Sequence, residues 1–352
     1  MNYDDIVREL GDRAETLLNF RQPKINRDRL TLPSADFVEK VFDQSDRSDE
    51  VKANLKRLFN SGRLAGTGYL SILPVDQGVE HAAGYSFAKN PDYFDPKKIV
   101  ELAIEGGCNG VASTYGALAS VSKTYADKIP LIVKLNHNQL LTYPGEHHQI
   151  TYASAEQASA IGAVAVGATI YFGSETADAE LEVVRDLFAA AHRAGLATIL
   201  WCYVRNRAFR SQGGINYETA VDLTGQAIYL AASLGADIVK QKAPTPEFGF
   251  RDLNFGKHSD EMYQNLLSQH PIDLTRYQVA NGFMGRVGLI NSGGGTGADD
   301  LKEAITTAVI NKRAGGMGLI LGRKAFSRPM KEGAELLNAV QDVYLEKRID
   351  VA

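Results

Sequence analysis

Cysteine is scarce in this 352-residue sequence, and neither sign of charge is in marked excess. The two cysteines, Cys108 and Cys202, lie in apolar surroundings, which excludes a disulfide framework or a zinc cluster and indicates a reducing compartment. Lys and Arg number 38 and Asp and Glu number 42, giving a net charge of −4. This mild acidity gives no reason to expect nucleic acid or an anionic membrane as a partner. An anionic ligand therefore needs a local site.

Long apolar runs and targeting signals are also lacking. No apolar run reaches the ~18 residues of a membrane-spanning helix. The N-terminal segment MNYDDIVREL is acidic and has neither the basic nor the apolar region of a secretory signal. Hydrophobic residues nevertheless make up 44% of the sequence, which is ample for a sizeable core. We therefore expect a globular cytoplasmic protein that binds neither a membrane nor nucleic acid.

The sequence does contain a regular alternation of short apolar runs and helical patterns. Each run is apolar on both faces, which is typical of a buried parallel strand. The predicted strands are Leu70–Val75, Gly110–Ser113, Leu131–Leu135, Ala163–Thr169, Thr198–Tyr203, Ala236–Gln241, Gly288–Asn291 and Gly318–Leu321. Helical spacing is found between and after them, over Pro96–Glu105, Ala155–Ile161, Ala177–Ala194, Tyr217–Leu234, Asp299–Arg313 and Lys331–Glu346.

Eight strands alternating with helices predict a (β/α)8 TIM barrel, which we assign to residues 67–352 as the catalytic domain. A doubly wound sheet is the alternative, but it usually has fewer strands, and no G-x-G-x-x-G follows the first one. Residues 1–66 carry apolar stripes at helical spacing and predict an N-terminal helical extension. This extension either packs on the bottom or side of the barrel or contacts a second subunit. Barrel enzymes place their active groups at the C-terminal ends of the strands, so the strand ends are the candidate site.

Lysines mark two of these strand ends. Lys240 and Lys242 lie two residues apart at the end of the sixth predicted strand and therefore share a face. Burial disfavours an ammonium and lowers its pKa, which yields the neutral amine that Schiff-base chemistry requires. The alternative is that such a lysine binds a phosphate or pairs with a carboxylate. The spacing alone does not decide whether Lys240 or Lys242 is the reactive one. Lys134, at the end of the third predicted strand, is a rival nucleophile.

Aromatic and acidic groups stand at neighbouring strand ends. The fifth predicted strand places Trp201, Tyr203 and Arg205 on one face, beside Lys240 on the next strand. A cation next to Tyr203 would lower the pKa of the phenol and let it exchange protons, although aromatic lining of the barrel mouth is an alternative. Asp76 directly follows the first strand. As a functional residue, Asp76 would orient substrate hydroxyls or hold a cationic lysine. The alternative is a turn aspartate that bonds to its own backbone.

Glycines follow the seventh predicted strand in the segment INSGGG, just before a helix, and the eighth strand ends at Gly322 and Arg323. Glycines allow backbone N–H groups to approach a phosphate, and a helix N-terminus adds a positive dipole. This position is the recurrent phosphate site of TIM barrels. A flexible turn is the alternative, but the location and the arginine favour a phosphate site.

The remaining polar residues give no metal site. Asn136 and His137 are candidate substrate contacts beyond the third predicted strand, whereas His147 and His148 occupy a polar loop and Glu80 belongs to a loop surface. A metal site needs ligands that converge from several strand ends. No carboxylate–histidine set has convincing spacing, so we predict neither a metal nor a cofactor.

Five segments in order resemble one known family. They are VDQGVEH at 75–81, LWCYVRN at 200–206, ADIVKQK at 236–242, INSGGG at 290–295 and LILGRKAF at 319–326. Together they are similar to the archaeal-type class I fructose-bisphosphate aldolases, in particular to the long bacterial members. Each segment alone is a weak signal, but five in order on the right strands are highly specific. The resemblance spans nearly the whole chain.

The resemblance implies a metal-independent Schiff-base aldolase, an aldehyde-lyase that reversibly cleaves fructose 1,6-bisphosphate in glycolysis and gluconeogenesis and that forms a large homo-oligomer. It implies that Lys240 is the Schiff-base lysine, Tyr203 the general acid and base, and Asp76 the aspartate that assists them. It also implies substrate-binding roles for Trp201, for Arg205 at the distal phosphate, and for Ser292, Gly293, Gly294, Gly322 and Arg323 at the phosphate nearest the ketone.

One departure from the family pattern is visible, because Gln77 stands where shorter members often have histidine. Three alternatives stay open. A related Schiff-base barrel acts as an aldolase, thiolase or transaldolase-like enzyme on another phosphorylated ketose. A metal-dependent aldolase uses a divalent ion as the electron sink. A sugar-phosphate-binding protein without activity would lack the pair Tyr203 and Lys240.

Overall fold

The barrel predicted from the sequence is present in the computed structural model, which describes residues 1–142, 148–210 and 213–352. Eight parallel strands close in chain order, each pairing with the strands before and after it. A separate two-stranded antiparallel sheet, β4 with β5, lies outside the barrel. The strands are β1 (Leu70–Val75), β2 (Gly110–Thr114), β3 (Leu131–Lys134), β4 (Asn136–Asn138), β5 (Gln149–Thr151), β6 (Ala165–Phe172), β7 (Ala197–Val204), β8 (Ile238–Gln241), β9 (Gly288–Ser292) and β10 (Gly318–Ile320).

Helices surround the barrel and precede it. Each predicted helix corresponds to an observed one, and within the described ranges no helix is both long and apolar enough to cross a membrane. The α-helices are α1 (Tyr3–Leu10), α2 (Ala14–Asn19), α3 (Phe37–Phe42), α4 (Asp49–Phe59), α5 (Ala83–Phe87), α6 (Pro96–Glu105), α7 (Tyr115–Ala119), α8 (Ser122–Tyr125), α9 (Ala155–Ala160), α10 (Ala177–Arg193), α11 (Val221–Ser233), α12 (Gly249–Asp252), α13 (Asp260–Leu266), α14 (Pro271–Asn281), α15 (Asp300–Ala314), α16 (Arg323–Phe326) and α17 (Met330–Leu345).

The first 66 residues pack on the barrel in two places. The apolar stripe from Ile6 to Leu18 is divided between α1 and α2, because Gly11 adopts a φ of +54° and interrupts the helix. This pair packs on α15 at the side of the barrel. Helices α3 and α4 instead close the bottom, and the proposed division after residue 66 falls between α4 and β1.

The bottom of the barrel is an apolar core shared with the extension. Phe37, Leu55 and Leu58 are almost fully buried in one cluster with Leu70 and Ile72 from the barrel interior. Residues pointing into a small barrel fill it in layers, so the interior is closed below and open only at the C-terminal ends of the strands. These contacts therefore support the prediction that the N-terminal extension packs on the barrel.

Candidate active site

A cleft of about 960 Å³ opens at the C-terminal ends of the barrel strands. Alternate residues of each strand point inward, so the polar residues that follow the apolar layers face this cleft. The structure brings together the catalytic and substrate-binding residues that the family resemblance implies, whereas the candidate contacts Asn136 and His137 do not line the cleft. Those that line the cleft are Asp76, Trp201, Tyr203, Arg205, Lys240, Ser292, Gly293, Gly294, Gly322 and Arg323, together with the two other strand-end lysines, Lys134 and Lys242.

Lys240 ends β8 in a buried position between aromatic rings. Its Nζ atom lies 5.2 Å from the ring centroid of Trp201 and 5.6 Å from that of Tyr203. Burial lowers the pKa of Lys240, Asp76 opposes this effect and the nearby charge of Lys134 adds to it, so that the pKa is about 7. A substantial fraction of Lys240 is therefore the free amine at neutral pH.

Lys134, at the end of β3, carries the opposite charge state although it is as deeply buried. Its Nζ atom lies 3.0 Å from Oδ2 of Asp76 and also bonds to Glu80. Burial alone lowers the pKa of Lys134, but the carboxylates of Glu80 and Asp76 outweigh burial and hold that pKa above its ordinary value. Lys134 is consequently an ammonium. The contact between Lys134 Nζ and Asp76 Oδ2 also shows that the Asp76 side chain is bound by a lysine and not by its own backbone.

Asp76, Glu80 and His137 form a carboxylate–histidine group that the sequence analysis did not recognise. Their ligand atoms lie within 4.8 Å of one another. Burial disfavours the carboxylate of Asp76, but Lys134 and His137 lower the pKa of Asp76 well below its usual range. Because the Lys134 ammonium already bonds to both carboxylates, the group fits a cationic side chain and not a divalent metal ion.

Tyr203 lies close to two strand-end lysines, with Nζ of Lys240 and of Lys242 at 5.6 and 5.8 Å from its ring centroid. Burial raises the pKa of the Tyr203 phenol above its ordinary value, and a hydrogen bond with Ser292 opposes this only in part. The lowering expected beside a cation is therefore outweighed by burial, although the charge of Lys134 acts in the expected direction. The Tyr203 ring also stacks on Tyr171, with ring centroids 6.5 Å apart.

The loops after β9 and β10 lie side by side at one rim of the cleft. A Cβ at Gly293 would lie 2.1 Å from Cδ1 of Leu321, so glycine is needed for the close approach of the two loops. The Gly293 N–H already donates to the Ile320 carbonyl at 3.0 Å, which excludes this N–H as a phosphate donor. Gly294 has a φ of +74°, and Arg323, the first residue of α16, places its guanidinium next to Gly295, where a Cβ would lie 3.6 Å from Nη1. This rim is cationic and rich in backbone amides.

A second cationic rim follows β7 and β8, on the other side of Lys240. Arg205 donates from Nη1 to Oε2 of Glu218 at 2.9 Å, and its guanidinium lies 5.6 Å from the Tyr171 ring. Burial, followed by repulsion from Arg205, lowers the pKa of Lys242 to about 8. The cationic groups therefore follow strands on both sides of β8, which carries Lys240.

Several residues differ from their sequence-based interpretation. Glu80 is not on a loop surface, since its side chain is 14% exposed and bonded to Lys134. Asn136 is structural, because its side chain bonds to both the N–H and the carbonyl of Thr169 and so continues the strand pairing. Tyr171 also lines the cleft: β6 extends beyond the predicted strand end at Thr169, and the inward alternation of that strand leads to Tyr171. His147 lies outside the described residues.

Comparisons with known proteins agree with this geometry. A model of the DeoC/LacD family aldolases matches residues 70–328. A protein of Chlamydia pneumoniae named a probable class 1 fructose-bisphosphate aldolase is 60% identical over 352 residues, which is 100% of both chains. A solved archaeal fructose-1,6-bisphosphate aldolase, with its catalytic lysine covalently bound to the carbinolamine intermediate of the substrate, is 28% identical with a TM-score of 0.63 and covers 82% of this chain and 98% of its own.

A solved fructose-bisphosphate aldolase from Slackia heliotrinireducens is 24% identical, has a TM-score of 0.68 and covers 92% of each chain, which supports the fold alone. The family model covers more than half of the sequence and includes every barrel strand. The relative from Chlamydia pneumoniae is similar over its full length. The chain thus belongs to the DeoC/LacD family of aldolases.

Proposed function

We propose that this protein is a class I fructose-bisphosphate aldolase, which reversibly cleaves fructose 1,6-bisphosphate to dihydroxyacetone phosphate and glyceraldehyde 3-phosphate through a lysine Schiff base. The observation that carries the proposal is Lys240, a buried strand-end lysine whose pKa is lowered to about 7 between two cationic rims. The names of relatives that are 60% and 59% identical, both probable class 1 fructose-bisphosphate aldolases, support the same activity.

Lys240 is the proposed nucleophile. Its neutral Nζ adds to the C2 ketone of the open-chain sugar, and the resulting carbinolamine loses water to give an iminium. The positive charge of Lys134 close by favours the uncharged form of Lys240 before attack. The iminium is then the electron sink for breaking the bond between C3 and C4.

Tyr203 is the proposed general base and acid. It removes the proton from the C4 hydroxyl, the C3–C4 bonding electrons move into the iminium, and glyceraldehyde 3-phosphate leaves. The iminium cation beside Tyr203 lowers the pKa of the phenol at this stage, which counteracts the effect of burial. Tyr203 returns a proton to C3 of the enamine, and hydrolysis then releases dihydroxyacetone phosphate and Lys240.

Asp76 is proposed to support the carbinolamine steps and to orient substrate hydroxyls. Its Oδ2 atom is held 3.0 Å from Nζ of Lys134 at the floor of the cleft. The carboxylate remains ionised because Lys134 lowers its pKa against the opposing effect of burial. An ionised carboxylate accepts hydrogen bonds from two sugar hydroxyls or from the water that leaves and returns.

The two rims are proposed to bind the two phosphates. The phosphate at the ketone end is bound by Ser292, Gly293, Gly294, Gly322 and Arg323. Gly293 acts there by letting the two loops approach each other closely, not by donating its N–H. Arg205 contacts the distal phosphate, with Lys242 beside it, and Trp201 packs against the reacting carbons. Binding energy from both phosphates aligns the C3–C4 bond with the iminium without taking part in the chemistry.

The setting of the enzyme is also a proposal. We infer that it acts in the cytoplasm, in glycolysis or gluconeogenesis, as a large homo-oligomer without a metal or cofactor. The buried, unpaired thiols of Cys108 and Cys202 support a reducing compartment.

Borohydride trapping tests the proposed chemistry directly. Reduction in the presence of dihydroxyacetone phosphate is expected to leave one adduct on Lys240, identified by peptide mass spectrometry, and EDTA is expected to leave the rate unchanged. Comparing fructose 1,6-bisphosphate with fructose 1-phosphate in a coupled assay measures the dependence on the distal phosphate. An unmodified Lys240, or activity abolished by EDTA, would overturn the Schiff-base assignment.

A further inference from the structure

Two strand-end lysines face the same cleft, and the fold must prevent both from reacting with a ketone. The side chain of Lys134 is 3% exposed and the residue Lys240 is 7% exposed. Both are inward-facing residues of the barrel and both line the cleft. Burial is thus nearly the same for the two amines, and a different feature must distinguish them.

That feature is the loop after β1. Gly78 donates its N–H to the His81 carbonyl at 2.7 Å, so the loop turns back on itself and directs the Glu80 carboxylate to Lys134. Leu140 donates its N–H to the Val79 carbonyl at 2.8 Å, which fixes the loop to the segment after β4. Glu80 is therefore held in position by contacts on both sides.

The ionisable groups facing Lys134 come from six parts of the barrel mouth. They are Asp76 at the end of β1, Glu80 in the loop, His137 in β4, Tyr171 in β6, Tyr203 in β7 and Lys240 in β8. Two of them are carboxylates in direct contact with Nζ. Lys240 has no carboxylate within ion-pair distance among the described residues.

We propose that Glu80 is a positioning residue: its ion pair keeps the Lys134 ammonium against the β1 end and so reserves attack on the ketone for Lys240. This inference rests on the proposed aldolase function. Without the Glu80 charge, Lys134 would keep a single carboxylate partner in a buried site. Part of it would become a free amine, since loss of a counter-charge disfavours the ammonium.

The reaction expected of that free amine mirrors the chemistry proposed for Lys240. The Nζ atom of Lys134 adds to the C2 carbonyl carbon of dihydroxyacetone phosphate, and the carbinolamine loses one water to give an iminium. Borohydride delivers a hydride to the iminium carbon and leaves a stable secondary amine on Lys134. The adduct has the same mass as that on Lys240, and only its peptide differs.

The test compares adduct positions in four proteins: wild type, Lys240→Met, Lys240→Met with Glu80→Gln, and Lys240→Met with Glu80→Asp. We expect an adduct on Lys240 in wild type, only a trace on Lys134 in Lys240→Met, and a clear adduct on Lys134 in the Glu80→Gln double variant. The Lys134 labelling should rise by roughly tenfold or more over the parent, since one pKa unit changes the free amine about tenfold. Glu80→Asp should restore the protection of Lys134.

Glu101→Gln in the Lys240→Met background is the matched control. It removes a carboxylate 2.9 Å from Lys98 on α6, outside the cleft, and should give no adduct beyond the trace expected in Lys240→Met. Circular dichroism and binding of dihydroxyacetone phosphate establish that each variant is folded. A folded Glu80→Gln double variant that labels Lys134 no more than Lys240→Met does between pH 6 and 9 overturns the inference. A wild type that forms no adduct on Lys240 instead overturns the proposed function.

Discussion

The two ends of the barrel use burial for different purposes. At the bottom, apolar residues of α3 and α4 fill the interior, and the buried charge of Asp237 is paired with Arg47 at 2.7 Å. At the top, Lys240 is also removed from water and Lys242 is half-buried, but neither has a carboxylate in contact among the described residues. In the same region, Oε1 of Gln77 is buried without a hydrogen-bond partner in the described part of the chain.

This difference separates stability from reactivity. Burying apolar groups and satisfied ion pairs stabilises the folded state. Burying an unpaired lysine disfavours the charged form of that lysine and destabilises the folded state. The closed bottom therefore offsets the free-energy cost of a cleft whose lysines have lowered pKa values. Substitutions at the two ends should consequently change different measurements.

The largest expected effect comes from Lys240→Met. Because the substitution removes the only amine proposed to form the iminium, kcat/KM should fall by about 10⁴-fold or more. The unfolding midpoint should not fall, since methionine fills a similar volume without a buried charge. A coupled aldolase assay and thermal unfolding measure the two quantities. Substantial remaining activity would mean that Lys240 is not the nucleophile.

Tyr203→Phe should have the next largest effect on the chemistry of the upper end. Loss of a general acid and base lowers kcat by about 10²- to 10⁴-fold. Borohydride trapping on Lys240 should persist, because the phenol is proposed to act after the iminium has formed. The experiment compares steady-state kcat with the yield of the trapped adduct. Equal loss of both would assign Tyr203 to an earlier step.

Leu55→Ala tests the lower end. Leu55 is fully buried in the apolar core at the bottom of the barrel, so its truncation should lower the free energy of unfolding by about 2–5 kcal/mol. The kcat of the folded fraction should stay near that of wild type. Val183→Ala, at a position 46% exposed, is the control and should change stability little. A reduced kcat in folded Leu55→Ala would show that the two ends are coupled.

The smallest expected effect is the dependence on pH. Since the pKa of Lys240 is lowered to about 7, activity should rise through pH 7 and fall about tenfold per unit below it. In the unfolded chain the pKa of lysine is near 10.4, so between about pH 7 and 10 the unfolded state binds more protons. The contribution of Lys240 to the free energy of unfolding therefore rises with pH between about pH 7 and 10. In denaturant unfolding, Lys240→Met should remove this dependence of the free energy of unfolding on pH.

The sequence was sufficient to predict the barrel and most of the site. Chain order makes successive parallel strands neighbours, and the period of two residues places Trp201, Tyr203 and Arg205 on one inward face. The register observed between β7 and β8 pairs Trp201 with Lys240, which is the adjacency that the pattern predicted. The observed bounds of β1 and α6 are those predicted, and those of α6 are marked by Asp95 and Pro96 at its start and by Gly106 at its end.

Only the tertiary structure decided which lysine is charged. Asp76 and Glu80 lie 58 and 54 residues from Lys134 in the sequence, so no local pattern reveals that both carboxylates meet it. Strand ends follow from apolar periodicity, which is a property of neighbouring residues. The pKa of a buried amine instead depends on charges within a few ångströms in space, and the fold of the loop after β1 sets those distances.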